Sequence, residues 1–149
     1  GMEREQIVPI LQNLIPQIGS VLSINNLDFL AKGGRLNRAA MVVGTVAGLK
    51  PIISLTEQGM LALVARAYGW ERALKHIQQW VADRITYPEE NWLGVIHSRL
   101  PEEAKGLAET LRKRYSPRGV VVAEIGPSIG THIGPGALGV TFFSEKGRA

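Results

Sequence analysis

The sequence predicts a two-layer α/β domain with a mixed six-stranded sheet. Six strand-like runs, Ser20–Ile24, Ile52–Thr56, Met60–Arg66, Trp92–His97, Val120–Ile125 and Leu138–Phe143, are interrupted irregularly by helical patterns. The irregular alternation argues against an all-parallel βαβ array. Length supports one domain: 149 residues, 45% of them hydrophobic, can bury a substantial core.

Taken in order, Glu3–Ile18 reads as a helix whose Ile7, Ile10, Leu11, Leu14, Ile15 and Ile18 share a face, with Gly19 as its stop. Asn25 or Asn26 is the expected cap of a short helix ending at Gly33-Gly34. Asn37–Leu49 is a helix of small residues, Ala39, Ala40, Val43, Gly44, Val46 and Ala47, which leave room beside it for an element or a ligand chain. Glu57-Gln58-Gly59 joins two strands into a hairpin. Trp70–Ile85 is strongly amphipathic, with Trp70, Leu74, Ile77 and Val81 on one face. Pro88-Glu89-Glu90 is a turn, and Pro101–Tyr115 is a helix opened by a proline where proline is tolerated. The expected division is an amino-terminal helix, residues 1–19, and a domain over residues 20–149. Gly1 ahead of Met2 reads as a tag scar.

Bulk composition narrows the function. There is no cysteine, so disulfides and thiolate metal sites are excluded, and the composition suits a cytoplasmic protein. The net charge of +4 is spread along the chain. Its densest run, Arg112-Lys113-Arg114, ends a helix, where cations complement the dipole. Only Tyr115 lies beside that run, which is a weak basis for nucleic-acid binding. Ile7–Ile18 is broken by two prolines and too short to insert into a membrane.

Gly126–Gly139, Gly-Pro-Ser-Ile-Gly-Thr-His-Ile-Gly-Pro-Gly-Ala-Leu-Gly, packs glycines and prolines around His132. Glycine opens backbone conformations closed to other residues, and proline fixes its own φ. The stretch therefore reads as a rigid, irregular turn between two strands with one imidazole at its centre. Either that imidazole meets a ligand or it caps a backbone group within a structural crossover.

A second stretch bears on this choice. Leu27-Asp28-Phe29-Leu30-Ala31-Lys32-Gly33-Gly34-Arg35-Leu36 precedes the small-apolar run Ala39–Leu49 and Lys50-Pro51-Ile52-Ile53. Together with Gly126–Gly139, in the same order and at similar separation, it resembles the DegV family of bacterial fatty-acid-binding proteins. The likeness runs from about Val21 to Phe143 and covers that family's carboxy-terminal domain. It implies the two-layer α/β fold of that domain and a long-chain fatty acid as ligand. His132 would lie at the carboxylate with Thr131 adding a hydroxyl, Arg35 would stand beside the head-group entrance, and Arg66 on the partner or head-group side. The helix positions Ala39, Ala40, Val43, Gly44 and Ala47 would line the acyl slot. In the family the histidine and the two arginines are implicated in presenting the lipid to a kinase that makes acyl phosphates. The resemblance implies no cofactor and no catalysis by the chain itself. The family's amino-terminal domain, which supplies hydroxyls to the carboxylate, would be replaced by a partner chain or a second copy of this one.

Other chemistry is poorly represented. The three histidines are widely separated, and no His-Glu-x-x-His spacing exists. Gly126-Pro127-Ser128-Ile129-Gly130 places proline before the serine and is not read as a nucleophile elbow. Neither Walker-type nor dinucleotide glycine motifs occur. His97 reads as structural and His76 as solvated. The expectation is a lipid-presenting domain. A lipid-free regulatory or interaction module, and a phosphate-binding enzyme using the glycine turns and arginines, are the other readings.

Overall fold

The computed structural model describes residues 1–25, 27–34 and 48–146. In chain order the elements are α1 (Arg4–Leu14), β1 (Ile18–Ser23), α2 (Asp28–Lys32), β2 (Leu49–Leu55), β3 (Leu61–Tyr68), α3 (Trp70–Arg84), β4 (Trp92–Ser98), α4 (Pro101–Tyr115), β5 (Gly119–Glu124), α5 (Pro127–Ile133) and β6 (Ala137–Phe143). The six strands form one sheet in the order β3-β2-β1-β6-β4-β5. Every neighbouring pair is antiparallel except β4–β5, which α4 connects as a crossover.

Alternation along the strands sorts side chains onto two faces. One face carries α3 and α4. Ala73, Ile77 and Val81 of α3 and Ala104, Leu107, Ala108 and Leu111 of α4 pack there on Val21, Leu93, Val95, Leu138, Val140 and Phe142. The sequence-level stripe on α3 is confirmed, although Trp70 and Leu74 are half-buried at its margin. The opposite face carries α2 and α5 over a smaller cluster of Ile24, Leu27, Leu30, Ile53, Ile133 and Ala137. Leu22, Leu61, Leu63 and Ile125 flank that cluster half-buried. This second face is where the candidate site stands.

Several boundaries differ from those expected. The first helix stops at Leu14, a 3-10 turn follows over Ile15–Gln17, and Ile18 already belongs to β1, paired with Phe143. The ladder with β6 captures Ile18 and Gly19, so the expected stop residue is a strand residue. No residue of α1 is buried, and its apolar side chains lie exposed. Leu49, expected in a helix, pairs with Tyr68 in β2. Gly48 at φ +79° precedes it, and its carbonyl accepts the amide of Gly69, itself at φ +78°. Asn25 does not cap α2, which Leu27 precedes; its Oδ1 accepts Lys50 Nζ at 2.5 Å instead. Asn26 lies outside the described residues.

The hairpin forms as expected, with one irregularity. Ile52 opposes Ala65 while Ile53 opposes Leu63, so Val64 is an extra residue that bulges β3. That bulge bends one margin of the sheet. β5, at the other margin, pairs with β4 without interruption from Gly119 to Glu124.

Candidate functional site

The site forms where α2 and α5 meet on the second face. Two aromatic side chains and two glycines lock the helices together. A β-carbon on Gly33 would overlap His132 Nδ1, so the imidazole rests directly on the α2 terminus. A β-carbon on Gly134 would overlap the Phe29 ring, and Gly134 sits at φ +71°, a conformation that side chains disfavour. Each helix thus presents a ring to the other's glycine. Beneath them, Leu30 and Ile133 are buried in the same apolar cluster.

Gly126–Gly139 is not the irregular turn that its composition suggested. Residues Pro127–Ile133 form a short helix of about two turns, with Pro127 in its first turn and Gly134 beyond its end. Proline is preorganised for a first turn and glycine for a terminus, so the punctuation marks the ends of a short helix. Several backbone amides of this stretch are taken up within the chain. Ile129 and Gly130 donate to the Gly126 carbonyl, Gly134 donates to Gly130, and Gly136 donates to Ser98.

His132 is half-buried, and its Nδ1 is closed to solvent with no hydrogen-bond partner among the described residues. A buried polar atom in that state is costly to leave unmatched. Closure of Nδ1 against Gly33 leaves Nε2 as the nitrogen with which the ring can meet a ligand. Thr131 is exposed, and its hydroxyl makes a long 3.5 Å hydrogen bond to the Ser128 carbonyl within the helix. So weak a bond leaves the hydroxyl available. Phe29 and Ile129 are exposed beside this junction and present apolar surface.

Arg66 is exposed on β3, opposite Pro51. Its neighbours Ala65 and Ala67 pack toward α3, so alternation turns Arg66 to the face of α2 and α5. The Pro51 carbonyl accepts the amide of Ile24, which continues from β1 toward α2. Arg66 therefore stands at the α2 end of the sheet, two strands from β1, a backbone separation of about 10 Å. Arg35 and the slot residues Ala39, Ala40, Val43, Gly44 and Ala47 lie outside the described residues.

His97 is buried and accepts the Leu100 amide on Nδ1 at 3.4 Å, and His76 is exposed on α3. Among the described residues there is no group of three or more His, Asp or Glu that could hold a metal, and no helix long and apolar enough to cross a membrane. Gly33 and Phe29 are the site residues that sequence reading missed. The Gly33-Gly34 pair read as a helix stop, and nothing local signalled that Gly33 also seats an imidazole about 100 positions away in the chain.

Comparison with known proteins bears on the family and the fold. A DegV domain-containing protein of Caldanaerobacter subterraneus subsp. tengcongensis is 32% identical over 146 residues, which cover 98% of this chain and 51% of that protein. The chain thus spans about half the length of the curated relatives it matches. The crystal structure of a fatty acid binding DegV family protein from Streptococcus agalactiae superposes with a TM-score of 0.80 at 27% identity, over 97% of this chain and 51% of that one. The Fatty Acid Kinase B3 protein of Streptococcus pneumoniae, solved loaded with linoleic acid, shares the fold at a TM-score of 0.83 and 15% identity, over 97% and 51% of the two chains. A family model described as "Uncharacterised protein, DegV family" matches residues 1–145, and the chain belongs to the DegV family.

Proposed function

We propose that this domain binds a long-chain fatty acid and presents its carboxylate to a kinase partner in the cytoplasm for acyl-phosphate formation. The observation that carries the reading is His132, half-buried over an apolar cluster with one ring nitrogen closed off. Nε2 donates to a carboxylate oxygen, and Thr131 supplies a second donor. Arg35 and Arg66 supply the cationic surroundings that a carboxylate, and later an acyl phosphate, requires. The tail lies along the small residues Ala39, Ala40, Val43, Gly44 and Ala47. Burial of each methylene contributes about 0.8 kcal/mol, so the tail dominates affinity and the polar head sets orientation. The fatty-acid ligand of the Streptococcus agalactiae protein supports the substrate class, and the kinase in the name of the Streptococcus pneumoniae protein supports the partner class. On this reading the domain orients substrate and the partner supplies the chemistry, so the chain is not itself an enzyme.

Native mass spectrometry of the purified protein tests the ligand. A co-purified acid with a long acyl chain supports the proposal, whereas a bound phosphate ester or a chain that takes up no added oleate rejects it. Gly44→Leu and Ala40→Phe should fill the slot and exclude long acids while shorter ones still enter. Loss of folding in both variants would instead make these positions ordinary core, where overpacking costs about 1–3 kcal/mol.

A further inference from the structure

We propose that Lys50, held by Asn25, contacts the phosphoryl oxygens of the acyl phosphate, a task separate from the carboxylate contact of His132. The inference rests on the function proposed above and adds a second anion contact to it. Lys50 is half-buried at the head of β2, where Pro51 keeps it extended. Its Nζ donates to Asn25 Oδ1 at 2.5 Å and lies 4.9 Å from the centre of the Trp70 ring. Both partners are neutral.

The surface lysines Lys75 and Lys105 each pair with a carboxylate of their own helix, Glu71 and Glu102, at 2.8 Å. Lys50 forms no ion pair among the described residues. Neither Asp28 in the first turn of α2 nor Glu71 in that of α3 pairs with it. Trp70 is moreover the first residue of α3, whose amino-terminal end no side chain caps. The helix dipole there is positive and favours an anion over a cation. The ammonium is thus fixed in place and short of a counter-charge, with two N–H groups left to donate. Holding a lysine still before the ligand arrives lowers the ordering cost of binding.

The place of Lys50 relates it to His132. A β-carbon on Gly136 would come within 3.3 Å of Asn25, so the pair stands against the loop that leaves α5. Asn25 is exposed, and with Oδ1 taken by the ammonium its Nδ2 is the group that can donate to a ligand. Arg66 lies opposite Pro51, and the exposed Arg99 follows Ser98, whose carbonyl accepts the Gly136 amide. Both add positive charge at the same end of the sheet. α2 starts at Asp28, shortly after Asn25, and ends before Gly33, on which His132 rests. Its five residues rise about 8 Å. A carboxylate on His132 Nε2 takes up about 3 Å of that span. A phosphoryl group on its outer oxygen occupies the remainder, within reach of Lys50 Nζ.

Titration calorimetry of the chain with hexadecyl phosphate and with palmitate tests the assignment, since the two probes match in tail and differ in head. Lys50→Met keeps a side chain able to lie on Trp70. It should weaken hexadecyl phosphate binding at least about tenfold, the loss of a charge-assisted contact. Palmitate should weaken less than about threefold, because a charge that far from the carboxylate is screened. Asn25→Asp, nearly the same shape, gives Lys50 an internal counter-ion. It should produce the same split between the two probes, with a thermal melt as high as wild type or higher. Lys50→Arg should keep most of the affinity for hexadecyl phosphate. Lys50→Met and Asn25→Asp variants that weaken both probes equally, or neither, overturn the assignment, as does a wild type that takes up palmitate but not hexadecyl phosphate. A wild type that binds neither probe overturns the fatty-acid reading and this one with it.

Discussion

The His132 imidazole and Gly33 are in such close contact that no side chain can be added at position 33 without moving the ring. Phe29 and Gly134 repeat the arrangement in the opposite sense, so the α2–α5 junction is held by reciprocal ring-on-glycine contacts. The geometry of the proposed head-group site follows from this lock more than from hydrogen bonds. Perturbing either contact should therefore be felt in ligand binding.

His132→Ala should weaken fatty-acid binding by about 1–3 kcal/mol, the scale of a hydrogen bond to a charged group. Titration calorimetry with oleate measures the loss, and a melt should move little. Unchanged affinity would remove His132 from the head-group site.

Gly33→Ala should also lower affinity, by displacing the ring rather than removing it. The backbone there has φ −79°, which alanine adopts freely, so the cost comes from contact and not from strain. Overpacking of this kind costs about 1–3 kcal/mol of stability. Combining it with His132→Ala should recover part of that stability, because the overlap with the ring has gone and only the 3.1 Å approach to the Phe29 carbonyl remains. Denaturant melts of the two single variants and the double provide the check.

At Gly134 two penalties coincide, since φ is +71° and the Phe29 ring fills the space. Gly134→Ala should destabilise the fold by more than about 1 kcal/mol. Phe29→Ala should relieve the contact but not the backbone penalty, leaving a residual cost in the double variant. Full rescue would mean that the conformation itself is harmless.

Tyr115 makes a pH-dependent prediction. Its hydroxyl is buried with no hydrogen-bond partner among the described residues, and burial pushes its pKa above the usual value of about 10, while Arg114 beside it pulls the other way. A raised folded-state pKa means the contribution is intact below the unfolded value and lost as pH rises through the folded one. Stability should accordingly fall from about pH 10 upward, and Tyr115→Phe should lessen that fall. Near neutrality the same variant should be neutral or slightly stabilising, as it removes an unsatisfied buried group. Urea midpoints for both proteins at neutral and alkaline pH decide the matter.

Much of this was legible in the chain. Period-two runs such as Trp92–His97 and the α3 stripe with Ile77 and Val81 carry their own signal, because burial acts on one face of a regular element. The helix at Pro127–Ile133 was hidden because proline and glycine mark turns and helix ends alike, and seven residues are too few to show a period. Likewise, Ile18 reads as the last apolar position of a helix until β6 is there to pair with it. The seat of His132 depends on a contact between residues distant in sequence, which no local pattern records. Leu27–Leu36 and Gly126–Gly139 identified the family as motifs, without showing that Gly33 touches His132.

The pairing of β1 with β6 has a kinetic consequence. These two strands lie at the middle of the sheet yet are the first and the last of the domain's strands in sequence, with Ile18 against Phe143 and Ser23 against Leu138. Until β6 leaves the ribosome, β3-β2-β1 and β4-β5 exist only as separate fragments whose inner edges are open. The last strand of the domain to emerge is therefore the one that joins the halves. Such long-range closure slows folding, and it leaves the emerging domain most vulnerable to mispairing just before β6 arrives.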